Sequence, residues 1–264
     1  MNKTATKVLA LCAAAMMTLT ACTGNAPATE EEKPSDAAST ETKDEATDKK
    51  DEDKTADASA VTGKHEITDL VLPKLAQNEL TTFNILHSET NEDFEILFNL
   101  VEGLLEKDSL DKRHPCVATE WGTEDGGLNW TFKLRNDVKW VDMNGNVKAD
   151  CVADDFLTAL EWTLNFHKND SIGTSMPCQM IKGAQEYYDY TKGLSKEEAY
   201  ALTAGEGSKF REMVAVEAPD AYTLHYTCTA EKPYFDSLMS YTTGMPMSQA
   251  MIDELGGVDG VRAM

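Results

Sequence analysis

"NWTFKLRNDVKW", residues 129–140, alternates large apolar side chains with polar ones and then breaks at Asn136-Asp137. An extended chain turns successive side chains to opposite faces, so Trp130, Phe132 and Leu134 share one face and Thr131, Lys133 and Arg135 the other. Val138 and Trp140 follow the break. Asn144-Gly145 then supplies the strongest short hairpin dipeptide. The stretch therefore predicts a small antiparallel meander with one buried face, and places Trp130, Phe132, Leu134 and Trp140 in the core.

On either side of this meander the pattern is helical. In "NEDFEILFNLVEGLLEKD" (91–108), Phe94, Leu97, Phe98, Val101, Leu104 and Leu105 recur at the spacing of one helix face, with Asn91 as N-cap, acids in the first turn and Gly103 inside. A second helix is predicted from Ala153-Asp154-Asp155 to about His167, burying Phe156, Leu160 and Leu164. "CQMIKGAQEYYDYTKG" (178–193) reads as a third. Ser195 and Glu198 stand at capping-box spacing before a fourth. "EMVAVEAPDAYTLHYTC" (212–228) reads as a hairpin turning at Pro219-Asp220, with Val214, Val216, Tyr222, Leu224 and Tyr226 as its apolar residues. Pro233 suits the first turn of a short helix, and "MSQAMIDELGG" (247–257) forms a last helix stopped by Gly256 and Gly257. "EITDLVLP" (66–73) is an early strand candidate.

The 264-residue chain is not uniform along its length. Residues 1–22 read as an export signal: Lys3 and Lys7 precede the apolar run "VLALCAAAMMTL", which is too short to span a bilayer. The run ends in Leu19-Thr20-Ala21-Cys22. Residues 23–64 carry 12 acidic and 6 basic residues and almost no large apolar side chain. Such a segment cannot bury enough surface to offset its ordering entropy, and reads as a self-repelling tether. Residues 65–264 hold 34 acidic against 16 basic residues and all four tryptophans. That length supports a well-buried core, and the negative balance excludes nucleic acid and anionic lipid as partners.

Catalytic and metal patterns are missing. The sequence contains no G-x-S-x-G, P-loop or C-x-x-C. His87 beside Glu89 has no second ligand at metal spacing and reads as a hydrogen-bonded loop histidine. Asp154-Asp155 fits a helix N-terminus better than a pair of acid–base carboxylates, since adjacent helical residues point apart. No catalytic residue, metal or cofactor is expected. Cys116, Cys151, Cys178 and Cys228 allow three disulfide connectivities, with buried free thiols the simpler reading.

Two resemblances add to this. Leu19-Thr20-Ala21-Cys22 resembles the lipobox of bacterial lipoproteins, which makes Cys22 the site of lipidation and the new N-terminus. Then "LTTFNILHSETN" (80–91), "FNLVEGLLEKD" (98–108), "VATEWGTEDGGLNWTFKLRNDVKWVDMNGNVKADCVADDF" (117–156), "IKGAQEYY" (181–188) and "VEAPDAYTLHYTCTAEKPYFDSLMSY" (216–241) resemble, in this order, the extracytoplasmic solute-binding proteins of family 5. The block around Trp140 is specific to that family. The resemblance implies an α/β fold of the periplasmic-binding-protein type II, with the meander as a subdomain of the first lobe. It implies capture of oligopeptides outside the membrane and delivery to an ABC permease. Alternative ligands within the family are nickel chelates, haem and oligosaccharides, and a non-transporting sensor or surface lipoprotein is a reading of another class. Relatives continue for a comparable length beyond "GGVDGVRAM", so the second lobe is expected to be largely missing, in a fragment or a truncated product. The aspartate that holds the peptide amino group in the family would fall beyond residue 264. Two loops match cleft-lining positions: Ser88, Glu89, Thr90 and Asn91 in one, and Tyr241, Thr242, Gly244 and Met245 in the other.

The expected organisation is thus a lipoprotein signal over 1–22, an acidic tether over 23–64, and the N-terminal part of a family 5 domain over 65–264. Its place is outside the cell membrane, held there by a lipid anchor.

Overall fold

A computed structural model of the protein describes residues 80–264. The signal, the tether and the strand expected over 66–73 lie outside the described residues. The chain enters through a loop to α1 (Asn91–Leu97). It then runs through six short strands: β1 (Leu105–Lys107), β2 (Arg113–Pro115), β3 (Ala118–Gly122), β4 (Asn129–Leu134), β5 (Lys139–Val141) and β6 (Val147–Asp150). Helices follow as α2 (Ala153–Leu164), α3 (Phe166–Asn169), α4 (Ser175–Met180), α5 (Ala184–Lys192), α6 (Lys196–Tyr200) and α7 (Lys209–Met213). The hairpin β7 (Val216–Asp220) and β8 (Thr223–Thr227) precedes α8 (Phe235–Leu238), a 3-10 turn at Thr242–Gly244, α9 (Gln249–Glu254) and α10 (Val258–Arg262).

The centre is a four-stranded antiparallel sheet in the order β3-β4-β8-β7. Trp130 lies opposite Tyr226 and Phe132 opposite Leu224. Trp130, Phe132, Leu134, Leu224 and Tyr226 are buried in one apolar cluster with Phe156, Leu157, Leu160 and Leu164 of α2, Tyr187 of α5, Phe210 of α7 and Phe235 of α8. Phe132 meets Tyr226 edge-on, with ring centroids 5.8 Å apart. On the other face Thr131 Oγ1 bonds the ring of His225 at 2.9 Å, and Lys133 donates to Thr223 Oγ1 at 2.8 Å. The alternation of the opening stretch is thus realised residue by residue.

Its partners differ from expectation. No meander runs from β4 into β5: β4 pairs with β3 and β8, whereas β5 pairs with β6 in a separate two-stranded sheet. The chain leaves the main sheet where Leu134 N donates to Tyr222 O and Arg135 N to Val117 O, and Arg135 closes on Asp137. The turn at Asn144-Gly145 is present, with Gly145 at a φ of +78°. Trp140 is only half-buried, packed against the margin of the core.

The helix expected over 91–108 ends at Leu97, and Leu105–Lys107 is strand instead. Backbone partners far along the chain take over from the helical ladder: Leu104 N donates to Gly244 O at 2.8 Å, Val117 N to Gly103 O at 3.1 Å and Ala118 N to Leu104 O at 2.9 Å. Phe98, expected in the core, is 41% exposed. The N-cap is Thr90 rather than Asn91.

Smaller differences have local causes. The helix expected to reach His167 stops at Leu164, because the Asn165 side chain accepts from His167 N and Lys168 N and so starts α3. The helix expected over 178–193 is two, parted at Gly183 with a φ of +82°. The β7–β8 turn falls two residues later than Pro219-Asp220, at Ala221-Tyr222, α8 begins two residues after Pro233, and α10 follows the glycine stop that ends α9. The capping box of Ser195 and Glu198 is formed.

The candidate functional site

The two loops expected to line a cleft meet in space. Ile85 and Leu86 of the first and Met245 of the second are buried in one apolar cluster with Leu97 of α1 and with Ala159 and Trp162 of α2. A third segment, which sequence reasoning missed, joins them. Leu86 and His87 contact Asn169 at the end of α3, and Thr243 Oγ1 lies 3.8 Å from Met176 Sδ in α4. Its connecting loop has Asp170 and Ser171 at φ +50° and +68°, values that non-glycine residues rarely adopt. Arg262 of α10 grips this loop, reaching Asp170 Oδ2 at 2.6 Å and Lys168 O at 2.8 Å. The only sequence signal for the segment was its density of Asn, Asp, Ser and Gly, which marks a turn without saying what it faces.

Within the first loop the polar residues serve the fold. Asp93 is fully buried. Burial opposes its charge, but donors from the Thr81 side chain and backbone, together with Ser88 and Thr90, outweigh that cost and hold the carboxyl below its usual value. Ser88 Oγ donates to Asp93 Oδ2 at 2.9 Å, and Thr90 Oγ1 accepts from Asp93 N at 3.2 Å. Ser88 is buried, whereas Glu89 and Asn91 stand exposed. His87 is the hydrogen-bonded loop residue expected: its Nδ1 lies 3.4 Å from Asn169 Oδ1.

The second loop is similarly tied. Gly244 N donates to Tyr241 O at 2.9 Å, its carbonyl takes Leu104 N, and Met245 N donates to Thr242 O at 3.1 Å. Gly244 sits so close to the preceding helix that a Cβ would lie 2.1 Å from Met239 O. Thr242 is half-buried at the start of the 3-10 turn. Tyr241 is exposed, with the Lys107 ammonium 4.3 Å from its ring centroid. Of the eight expected residues, Glu89, Asn91 and Tyr241 present the most surface.

Asp154 and Asp155 begin α2, as their spacing indicated. Asp154 pairs with Arg211 at 2.6 Å, and buried Asp155 accepts from Val152 N at 3.0 Å. No cluster of three metal-ligating side chains exists among the described residues. A separate cavity of about 530 Å³ lies between Phe83, Leu100, Val138, Trp140, Met251 and Leu255, and none of the eight expected residues lines it.

Residues 112–257 match the model of bacterial extracellular solute-binding proteins, family 5, middle region. The oligopeptide-binding protein AmiA of Streptococcus pneumoniae is 28% identical over 170 residues, which are 64% of this chain and 23% of that protein. The periplasmic oligopeptide-binding protein OppA of Escherichia coli is 28% identical over 163 residues, 60% of this chain and 25% of its own. Among solved structures, OppA of Haemophilus influenzae in complex with the peptide RPPGFSPFR superposes with a TM-score of 0.52 at 26% identity, over 66% of this chain and 30% of that one. The oligopeptide ABC transporter substrate-binding domain of Bacillus anthracis gives 0.53 at 26% identity, over 69% and 30%. The chain thus spans about a quarter of the curated relatives it matches. With more than half of its length inside the family's own pattern, the chain belongs to the bacterial extracellular solute-binding proteins of family 5.

Proposed function

We propose that the chain is part of the substrate-binding lipoprotein of an ABC importer, which captures oligopeptides outside the membrane and hands them to the permease. One observation carries this reading: the loops that carry Ser88–Asn91 and Tyr241–Met245 share one apolar cluster, through Ile85, Leu86 and Met245, in a fold shared with peptide-binding relatives. Capture in such a protein is binding without chemistry. Peptide backbone is matched by polar groups along the wall, while an exposed side chain such as Tyr241 accepts varied residues. Residues 1–22 are then the lipoprotein signal, Cys22 the acylated N-terminus, 23–64 the tether and 65–264 the start of the binding domain. Acyl chains contribute about 0.8 kcal/mol per buried methylene, enough in combination to hold the protein at the cell membrane.

The test uses the complete product of the gene that carries this chain. Native mass spectrometry of freshly purified protein should show peptide masses bound, and a mixed peptide library should raise its melting temperature. A nickel chelate, haem or sugar mass in their place, with no response to peptides, would remove the peptide assignment. Labelled palmitate should appear on the product in cells, and Cys22→Ser should release it from the membrane.

A further inference from the structure

We propose that Asn169 is a positioning residue of this cleft wall, the buried side chain that fixes the loop of residues 84–91, through Leu86 and His87, against the loop of residues 170–174. The inference rests on the peptide-binding reading above. Asn169 is fully buried at the last position of α3. Its Nδ2 donates to Leu86 O and to Ile172 O, both at 2.8 Å. Its Oδ1 accepts from Trp162 Nε1 at 3.0 Å and faces His87 Nδ1 at 3.4 Å. Two carbonyls require the nitrogen on one side and the indole N–H requires the oxygen on the other, so the orientation of the amide is settled by its partners. The same logic makes His87 Nδ1 the protonated ring nitrogen.

A carboxamide has two donor hydrogens and two lone pairs, and here every one has a partner. The four partners belong to three segments: the first loop, the α3–α4 loop and helix α2. The α3–α4 loop is also where two successive non-glycine residues hold left-handed backbone, a conformation that persists only when its surroundings over-determine it. Asn169 supplies that constraint from the inside, and Arg262 from the outside through Asp170 and the carbonyls of His167 and Lys168. A wall held in this way meets a peptide already ordered, so less of the affinity is lost to ordering it.

Asn169→Asp keeps the volume and the acceptor for Trp162 but turns an oxygen toward Leu86 O and Ile172 O. In the full-length protein it should raise amide exchange at least about tenfold in 84–91 and 170–174, leave α5 and β8 unchanged, and weaken peptide affinity by about tenfold or more. His87→Phe removes the arm to Asn169 Oδ1 together with the 4.0 Å contact between His87 Nε2 and Asp170 Oδ2, and should raise exchange about threefold in 84–91 and less in 170–174; it serves if the aspartate variant does not fold. Unchanged loop exchange, a rise spread evenly over all elements, or wild-type peptide affinity in Asn169→Asp overturns the positioning role alone. Wild-type protein that takes up no peptide overturns the binding reading and this role with it.

Discussion

The indole Nε1 of Trp140 donates to Oδ2 of Asp155 at 2.9 Å, and this bond fastens the β5–β6 hairpin to the start of α2. The same oxygen accepts from Val152 N, and the backbone carbonyl of Asp155 takes Met247 N at 3.0 Å. One buried aspartate therefore joins the hairpin, a helix start and the chain leaving the loop of Tyr241–Met245. Burial raises its carboxyl above the usual value, against the opposing pull of the Trp140 and Val152 donors. The native state therefore holds this proton more tightly than the unfolded chain does. Stability contributed by the group falls as pH rises from about 3.8 through the raised native value, and stays lowered above it. Asp93 has the opposite sign: its contribution is present above about 3.8 and is lost as pH falls through its lowered native value. Asp155→Asn keeps an acceptor for both donors and removes the first slope only. Its urea-unfolding free energy should track wild type at pH 3.5 and lose the decline seen toward pH 7, whereas Asp155→Ala should cost about 2 kcal/mol across that range.

Lys168 and Glu161 form an ion pair at 2.7 Å with side chains 5% and 2% exposed. Tyr187 and Asn165 also donate to Glu161, at 2.8 Å and 2.9 Å, and Lys168 reaches Leu202 O. Lys168→Met leaves the carboxylate buried without its cation and should destabilise by about 3–5 kcal/mol. Adding Glu161→Gln keeps an acceptor for the tyrosine and the asparagine, and should recover more than half of that loss. A double variant no more stable than the single would show that the loss comes from the packing around Lys168 and its bond to Leu202 O, and not from the stranded carboxylate.

These two networks also mark the limit of what the sequence discloses. Trp130, Phe132 and Leu134 were legible because strand alternation is a local property that burial then enforces. Helix α1 was over-extended because Leu104 and Leu105 fit the helical period as well as they fit a strand. The deciding bonds, to Gly244, Val117 and Met239, come from residues far along the chain. The same holds for the candidate site. The two loops could be picked from a family pattern, but Asn169 could not, since its meaning lies in carbonyls at Leu86 and Ile172 that no spacing reveals. Ser88 and Thr90 read as available polar groups, and only the fold shows both hydroxyls committed to Asp93.

Gly183 separates α4 from α5 with a φ of +82°, and a Cβ there would lie 1.8 Å from Met213 O. The left-handed backbone alone disfavours an L side chain by about 1 kcal/mol, and the contact is with backbone that cannot step aside. Lys182 O, one residue earlier, accepts Ala215 N at 2.9 Å, so the approach belongs to a fixed junction of α5 with the strand entering β7. Gly183→Ala should therefore cost about 3 kcal/mol or more and lower the denaturant midpoint without changing its slope. Gly145→Ala, also at positive φ but with open space around it, should cost only about 1 kcal/mol. Equal losses in the two would mean that backbone strain, and not the contact with Met213, sets the penalty.

The four cysteines of the described region are free thiols, and three of them are buried. Burial, reinforced by Glu102 and Glu106, pushes the Cys116 thiol up to about 12; burial next to Asp155 does the same for Cys151. Cys178 and Cys228 are pushed up to about 11, again mainly by burial. The thiolate is the species that attacks alkylating and disulfide reagents, so at pH 8 only about one thiol in a thousand is reactive at a value of 11. Iodoacetamide at that pH should leave Cys116, Cys151 and Cys228 unmodified while the fold is intact. Half-buried Cys178 should react first but slowly, and all four should label at once in urea. Peptide mapping by mass spectrometry reads each site separately. Fast labelling of Cys151 in the folded protein would show that the junction of Trp140 and Asp155 opens readily, which the bonds holding it oppose.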